Sequence, residues 1–286
     1  MVSSLGRFAR LVTGVMKHIV SVSGGVGSYF TLKRVLEKAP QEDVIAVFCD
    51  TLAEDGDLYR FLDDIEERLG IQMVRLCEGK TPFECALEEN FLYNSRVASC
   101  SKKLKSRPFK KWLKEHYGPE ECILYLGIDW TETHRKGAIE KNYAPYEVRF
   151  PMCEPPYIDK PEMLDMLKAE HIEIPYMYRM GFSHNNCAGC CVKGGIGHWK
   201  LLLEKDRRSF LQWENKEQAI RRKIGKDVSI LKRKGKPFTL RELRKSVEGT
   251  GVQLSFDELC DIGGCGCFID ETENGHDTDS EGIADT

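Results

Sequence analysis

The sequence lacks any long apolar run, and no stretch approaches the roughly 20 residues that a membrane-spanning helix requires. It also lacks a strong charge imbalance, because 42 Lys and Arg residues face 45 Asp and Glu residues and leave a formal net charge of -3. The first absence argues against a membrane protein. The second means that net charge alone attracts neither nucleic acid nor anionic lipid.

Both ends of the chain lack the composition of a folded core. Residues 1–15 contain arginine and serine but no acidic residue, and they lack the long apolar core of a secretory signal. Residues 270–286 are acidic and nearly free of apolar side chains. We expect a disordered extension at 1–15 and a disordered acidic tail at 270–286.

Cysteine, in contrast, is abundant, with 12 residues. Without a secretory signal we expect a cytoplasmic protein, in which clustered cysteines favour metal binding or redox chemistry over a disulfide framework. Cys187, Cys190 and Cys191 lie close together, and Cys265 and Cys267 form a second close pair. Thiolates are soft ligands that suit zinc or iron–sulfur clusters. The cysteines within apolar patterns are predicted to lie in the core: Cys49, Cys77, Cys85, Cys122 and Cys153.

Strand and helix patterns alternate through the first half of the chain. Short buried-strand patterns occur in "KHIVSV", "DVIAVFCDT", "IQMVRL" and "CILYLGID", with amphipathic helical patterns between them. This order predicts an α/β fold, with a doubly wound parallel sheet and helices on both faces, over residues 16–152. Residues 153–269 are predicted to form a smaller, cysteine-rich, mainly helical region, with a long polar helix from about Trp199 to Ile224 and a basic loop after it. Ligands of such sheets bind beyond the carboxyl ends of the strands.

A glycine-rich loop follows the first strand and opens the first helix. Its pattern is S-G-G-x-x-S, with Ser23, Gly24, Gly25, Gly27 and Ser28, and it matches neither GxxxxGK[ST] nor GxGxxG. Glycines let backbone N–H groups approach an anion, and a helix N-terminus adds unpaired donors. We therefore expect a phosphate group here, the alternative being a turn without a ligand.

Polar residues also follow the second and fourth predicted strands. Asp50 and Thr51 end "FCDT", where they suit the ribose or the adenine edge of a nucleotide or cap the strand end. Gly127 and Asp129 lie in "LGID" and are further candidates for the same crevice.

Cationic side chains are the candidates for stabilising phosphate charge. Lys102, Lys103 and Lys105 follow Cys100 in "CSKKLK", and Arg135 ends "TETHR", where its guanidinium can clamp a phosphate or sulfate. The alternative for each lysine is a solvated basic stretch. Cys100 is a candidate nucleophile or metal ligand, with a buried structural role as the alternative.

The ordered segments "SGGVGS", "FCDTLAED", "CSKKLK", "LGIDWTETHR" and "GFSHNNCAGCCVKGGIGHW" resemble the phosphoadenosine phosphosulfate (PAPS) reductase-like branch of the PP-loop ATPase, or adenine nucleotide α-hydrolase, superfamily. The resemblance runs from Lys17 to Phe268 and is to members often carried by phages and mobile elements. It implies an enzyme that binds ATP or PAPS with Mg²⁺ and adenylates or thiolates an acceptor.

Two departures from the family pattern bear on the reaction. Many superfamily loops carry an aspartate where this chain has Gly27, so the resemblance implies that Mg²⁺ is held by phosphates, water and another carboxylate, such as Asp50 or Asp129. The E-C-G-L-H motif of authentic PAPS reductases is also absent. The second departure argues against a true sulfonucleotide reductase, which is the runner-up. A non-catalytic nucleotide- and nucleic-acid-binding accessory protein is the third hypothesis.

The resemblance also bears on the cysteines, since relatives that handle sulfur use a [4Fe–4S] cluster. The preferred ligand set is Cys187, Cys191, Cys265 and Cys267, with Cys190 as the substitute. Zinc in a structural site is the alternative metal, and a transient disulfide that carries sulfur is a third possibility.

The segment from Arg221 to Lys245 concentrates positive charge. Such a patch can neutralise nucleic acid phosphates, so a tRNA or DNA acceptor is one interpretation, and a solvated helix and turn is the other. The sequence leaves the acceptor and the oligomeric state open.

Overall fold

The computed structural model describes residues 14–94 and 98–263. Its main sheet has five parallel strands in the order β3-β2-β1-β4-β5, which confirms the predicted α/β class. The strands are β1 (Lys17–Val22), β2 (Val44–Asp50), β3 (Met73–Cys77), β4 (Cys122–Leu126) and β5 (Glu147–Arg149). From β1 the chain adds β2 and β3 on one side of the sheet and then crosses to add β4 and β5 on the other side. A ligand crevice is expected at such a switch point, beyond the carboxyl end of β1.

Helices follow most strands, as right-handed crossovers between parallel strands require. Those of the first part are α1 (Val26–Leu36), α2 (Gly56–Leu69), α3 (Pro82–Glu89), α4 (Ser99–Ser101), α5 (Arg107–His116), α6 (Lys136–Tyr143) and α7 (Lys160–Ala169). A π-helical turn, Lys102–Ser106, joins α4 to α5, and a 3-10 helix, Trp130–Arg135, precedes α6. The later helices are α8 (Tyr176–Arg179), α9 (Ile196–Lys205), α10 (Arg207–Ile224), α11 (Leu240–Val247) and α12 (Phe256–Cys260).

The sheet is covered on both faces. Side chains alternate along β1, so Val20 packs in one core with α1 and α2, whereas Ile19 packs in another with α5 and α6. Met163 and Leu167 of α7 also belong to the first core, where α7 contacts α1. The first core therefore extends past residue 152, into the segment assigned from the sequence to the helical region.

A third core contains the later helices and confirms a helical carboxyl-terminal region. Trp199, Phe210 and Leu240 are fully buried there, and α3 contributes Cys85 to the same cluster. A short antiparallel hairpin, β6 (Leu231–Arg233) and β7 (Lys236–Phe238), lies between α10 and α11. Within the two described ranges, no helix has both the length and the apolar character needed to cross a bilayer.

Two sequence-based predictions in this region were wrong. A continuous helix from about Trp199 to Ile224 was expected, but the chain breaks at Asp206, whose carboxylate accepts a hydrogen bond from the Ser209 N–H and caps α10. The basic segment after α10 was expected to be a loop, yet it contains the β6–β7 hairpin and α11.

Candidate active site at the carboxyl end of the sheet

The glycine loop is held in place by its own serines. The Ser28 hydroxyl donates to the Gly25 carbonyl at 2.7 Å and accepts from the Ser23 N–H at 3.1 Å. Gly24 has a φ of +77°, which favours glycine, and Gly25 is the extended residue before α1. These contacts place the N-terminus of α1 directly after β1. Because the N-cap residue is Gly25, no side chain of that residue caps the helix. A helix N-terminus that follows a strand and a glycine loop in this way suits an anion.

The loop packs tightly against the end of β4 through a pair of glycines. A Cβ built on Gly127 would lie 2.7 Å from the Ser28 Cα, and one built on Gly27 would lie 3.1 Å from the Gly127 carbonyl oxygen. A side chain at position 27 would therefore press on the strand end. The close approach of the two backbones gives a physical reason for glycine where related loops carry aspartate.

The loop opens into a cleft that holds about 720 Å³ of empty space, counting solvent at its mouth. Many of the residues predicted from the sequence line it: Ser23, Gly25, Gly27, Ser28, Gly127, Asp129 and Arg135. Others that line it were missed: Glu132, Lys160, Tyr178, His184, Asn185 and Asn186. The last three belong to "GFSHNNCAGCC", a segment that supports the family resemblance but does not by itself predict which of its polar residues reach the cleft.

Two cations lie on the cleft wall. Arg135 is 7% exposed, and its Nη1 donates to the Glu132 carboxylate at 2.5 Å. The Lys160 ammonium donates to the Ser183 carbonyl at 2.9 Å. The Asp129 carboxylate accepts from the Thr131 N–H at 2.9 Å and caps the 3-10 helix. Arg135 and Lys160 thus bring positive charge to the cleft that the glycine loop also lines, which suits an anionic ligand.

His184 contributes an uncharged imidazole to the same cleft. Burial, with smaller effects from Lys160, His198 and Arg135, lowers the pKa of His184 to about 4. The ring is therefore neutral at physiological pH and can accept one hydrogen bond and donate another.

The family comparison agrees with this geometry. Residues 17–146 match the family model of the phosphoadenosine phosphosulfate reductase domain. This segment is a PAPS reductase domain. It contains β1 to β4, the glycine loop and Arg135, and it belongs to the PP-loop, or adenine nucleotide α-hydrolase, superfamily.

A curated relative is also similar to the chain. An uncharacterized protein of Methanocaldococcus jannaschii is 24% identical over 211 residues, which cover 72% of this chain and 43% of the relative. The chain therefore spans less than half the length of that protein. The match extends beyond the PAPS reductase domain, since 211 aligned residues exceed the length of segment 17–146.

A buried carboxylate links the PAPS reductase domain to the first cysteine cluster. The Glu54 side chain has no exposed surface and accepts from the Thr51 hydroxyl at 3.0 Å and from the backbone N–H of Cys187. Its other partner is the Lys105 ammonium at 3.5 Å, in the π-helical turn. Lys105 is 4% exposed, so its charge is directed inward to Glu54. Glu54 was not singled out from the sequence because a lone glutamate carries no motif.

The remaining candidates of the PAPS reductase domain lie outside the lining of the cleft described above. Asp50 accepts hydrogen bonds from the Leu52 N–H and the Tyr59 hydroxyl, each at 2.8 Å, and so orders the turn after β2. Lys103 pairs with Glu89 at 2.6 Å. Lys102 is half-buried in the π-helical turn, and Cys100 packs against the third core. Their catalytic roles stay predictions.

The first cysteine cluster separates into two environments. The Cys187 and Cys191 thiols hydrogen-bond to each other, and this bond, burial and the Glu54 charge hold the pKa of Cys187 well above its ordinary range. Cys190 instead packs in the third core, and burial raises its pKa. Cys265 and Cys267 lie outside the described residues. In the described part of the chain, no group of three or more His, Cys, Asp or Glu side chains is arranged to hold a metal ion.

The other cysteines follow the prediction of a core position with one exception. Cys49, Cys85 and Cys122 are buried and Cys153 is half-buried, but Cys77 is exposed. Cys77 is the last residue of β3, an edge strand whose side chains alternate between core and solvent. The core prediction for Cys77 was wrong because this residue lies on the solvent side of the alternating pattern.

The basic segment is only partly neutralised. Arg233 pairs with Glu258, and Arg241 and Arg244 pair with Glu214. Further cations are exposed and have no ion-pair partner among the described residues: Arg222, Lys226, Lys232, Lys234, Lys236 and Lys245.

Proposed function

We propose that the protein is a nucleotide-dependent transferase that binds ATP at the glycine loop and transfers the adenylyl group to an acceptor. The observation that carries the proposal is the cleft itself, whose lining combines the serine-braced glycine loop at the start of α1 with Arg135 and Lys160. Backbone donors and cations in one cleft suit the polyphosphate of a nucleotide. The PAPS reductase domain supports the same nucleotide class.

In this reaction a nucleophilic atom of the acceptor attacks the α-phosphorus. The bond between the α-phosphorus and the oxygen bridging to the β-phosphorus breaks, and pyrophosphate leaves with the electron pair. Loop amides, Arg135 and Lys160 stabilise the charge on the leaving oxygens. The neutral ring of His184 is the candidate to relay the proton that the acceptor releases to solvent, since a group with a pKa of about 4 does not retain it.

Magnesium is the ion that this nucleotide chemistry ordinarily uses, and it neutralises phosphate charge when bound. Position 27 carries no carboxylate, and the carboxylate of Asp129 lines the cleft. Asp129 is therefore our candidate protein ligand, with Asp50 as the alternative. The Lys105 ammonium is paired with the Glu54 carboxylate, so we do not assign it, as we assign Arg135, to stabilising phosphate charge.

We further propose that Cys187 and Cys191, with Cys265 and Cys267, hold a metal centre. The two thiols of the first pair are adjacent and face each other, a donor set that suits a soft metal. Gly263 pairs with Gly194, and the Gly197 N–H donates to the Asp261 carbonyl at 2.7 Å. The last described residue, Gly263, thus lies beside the segment of the first cysteine cluster. Cys265 follows two residues later, and two extended residues span about 7 Å.

Either a [4Fe–4S] cluster or zinc fits these donors, and we prefer the cluster because of the family resemblance. The metal would hold the carboxyl-terminal segment against α9 and, as a cluster, would supply redox or sulfur chemistry. Cys190 is the substitute ligand, although it packs toward the third core.

The double substitution Cys187→Ser and Cys191→Ser should remove at least half of the bound metal. The reason is that a hydroxyl is a far weaker soft-metal ligand than a thiolate. Metal content per chain and absorbance near 400 nm, measured on anaerobically purified protein, check the result. Cys77→Ser is the matched control, since Cys77 is exposed on an edge strand. Full metal occupancy in the double variant would contradict the proposed ligand set.

A sulfonucleotide reductase is the second candidate, and the adjacent Cys187 and Cys191 thiols favour it. One thiolate would attack the sulfur of PAPS, breaking the sulfur–oxygen bond and releasing adenosine 3′,5′-bisphosphate. The second thiol would then displace sulfite and close a disulfide, so that the thiol pair supplies both electrons. The raised pKa of Cys187 disfavours this path in the described state, because the thiol stays protonated at neutral pH.

A more specific proposal is that the acceptor is a nucleic acid. It rests on the exposed cations of the basic segment, which are concentrated around the β6–β7 hairpin. Arg and Lys side chains without ion-pair partners are available for phosphate contacts. If nucleotide and nucleic acid bind but no reaction follows, the non-catalytic accessory hypothesis replaces the transferase.

One experiment tests the proposal and separates the candidates. Protein purified without oxygen is incubated with labelled ATP or with labelled PAPS, with and without bulk tRNA and DNA, and the products are resolved. Release of pyrophosphate and AMP, or of an adenylylated acceptor, supports the transferase. Sulfite from PAPS supports the reductase instead. Tight nucleotide binding without any product supports the accessory protein.

A further inference from the structure

A tyrosine from outside the PAPS reductase domain occupies the anion-binding end of α1. The Val26 N–H, the first amide of the helix, donates to the Tyr178 hydroxyl at 3.1 Å. The same oxygen lies 3.3 Å from the place where a Cβ on Gly25 would stand. Tyr178 belongs to the short helix α8, more than 30 residues beyond the end of the matched domain. Its hydroxyl thus occupies a position that suits a phosphate oxygen.

Asn185 provides a second, independent indication that the site takes a ligand. The residue is 1% exposed, and its Nδ2 donates to the Gly24 carbonyl at 2.8 Å. Its Oδ1 is buried and, among the described residues, accepts no hydrogen bond, although the residue lines the cleft. A buried acceptor without a partner is costly unless a ligand or water donates to it. A hydroxyl of a bound nucleotide provides such a donor.

We propose that Tyr178 is an affinity-determining residue of the phosphate site. Its hydroxyl holds the Val26 amide in the free protein and is displaced by the phosphate of the nucleotide. This inference rests on the proposed function, since it assumes that the glycine loop binds phosphate. One N–H has a single hydrogen, so the hydroxyl and a phosphate oxygen are alternative acceptors at Val26. A charged oxygen is the stronger acceptor of the two.

The displacement has a consequence for the rest of the site. Tyr178 and Asn185 lie in the segment that leads into Cys187, whose N–H is bound by Glu54. Displacing the Tyr178 hydroxyl therefore removes one of the contacts that hold this segment against the glycine loop. Any ligand that makes no contact with Val26 leaves the tyrosine in place.

The test is the substitution Tyr178→Phe, which keeps the ring and removes only the hydroxyl. Because the competing acceptor is lost, inorganic pyrophosphate should bind about three- to tenfold more tightly, the effect of one hydrogen bond. Isothermal titration calorimetry of the full chain at constant ionic strength measures the dissociation constant. Tyr176→Phe is the matched control, because Tyr176 lies on the same helix, is 41% exposed and stacks with Arg179. The control should bind pyrophosphate as the wild type does.

Two outcomes overturn the inference, and only the second of them also contradicts the proposed function. Equal or weaker pyrophosphate binding by Tyr178→Phe, with normal binding by the wild type, contradicts the role of Tyr178 and leaves the proposed function standing. Binding of neither pyrophosphate nor ATP by any of the three proteins contradicts the proposed function and the inference with it. Thermal melts of each variant establish that the folds compared are intact.

Discussion

Gly127→Ala should weaken nucleotide binding by at least about tenfold and lower the free energy of unfolding by about 1–3 kcal/mol. The added Cβ would lie 2.7 Å from the Ser28 Cα and 2.9 Å from the Ser28 nitrogen. Both atoms belong to the backbone of the glycine loop, so no side chain can rotate away. The loop must shift relative to β4, and its backbone amides shift with it.

Gly137→Ala is the matched control for this substitution. Gly137 lies in α6, and a Cβ there would meet no atom within 4 Å. Alanine in a helix interior is about 0.5–1 kcal/mol more favourable than glycine, so this variant should be slightly more stable and bind nucleotide normally. Calorimetry with ATP and denaturant unfolding measure both quantities. Normal binding by Gly127→Ala would show that the Gly27–Gly127 contact does not position the loop.

Glu217→Ala should lower the free energy of unfolding by about 2–6 kcal/mol, because two buried amides lose their acceptor. Glu217 has no exposed surface, and its two oxygens accept from the Ile230 N–H at 2.9 Å and from the Leu240 N–H at 2.8 Å. It thereby joins α10 to the hairpin and to α11. Urea unfolding followed by circular dichroism measures the change, and Glu204→Ala, which breaks only the exposed Lys200–Glu204 pair, should cost less than about 1 kcal/mol.

The pH dependence of this loss gives a separate check. Burial raises the pKa of Glu217 from 4.5 to about 7, against the lowering effects of its two backbone partners and of Arg221. The folded state therefore keeps the proton to a higher pH than the unfolded state does. The contribution of Glu217 to the free energy of unfolding is thus greatest below pH 4.5 and falls as pH rises to about 7. The cost of Glu217→Ala should shrink by roughly 3 kcal/mol across that window. A cost that grows with pH would contradict the raised pKa.

Much of the first half of the molecule follows from local sequence patterns. The apolar runs that become β1, β2, β3 and β4 are short and are separated by helical stripes, and β1 and β2 are rich in β-branched residues. The capping box of α3, from Thr81 to Glu84, is present as its sequence predicts. The glycine loop and Arg135 could be assigned to one cleft because the carboxyl ends of parallel strands meet at one edge of the sheet.

The residues that were missed come from parts of the chain far away in sequence. Tyr178 and Asn185 reach the loop through contacts that span 152 and 161 residues, and no local pattern encodes such a contact. Glu54 acquires its role only when the π-helical turn brings Lys105 to it. The break at Asp206 was overlooked because the helical pattern continues on both sides of it.

The central claim is that the amides at the start of α1 bind the phosphates of a nucleotide. Backbone amide resonances of the isotope-labelled 32.7 kDa chain, followed while pyrophosphate and then ATP are added, test it most directly. The account predicts that the largest shifts occur at Gly25, Val26 and Gly27, with saturation at the affinity found by calorimetry. Saturable binding that leaves these three resonances unchanged and shifts others would contradict it.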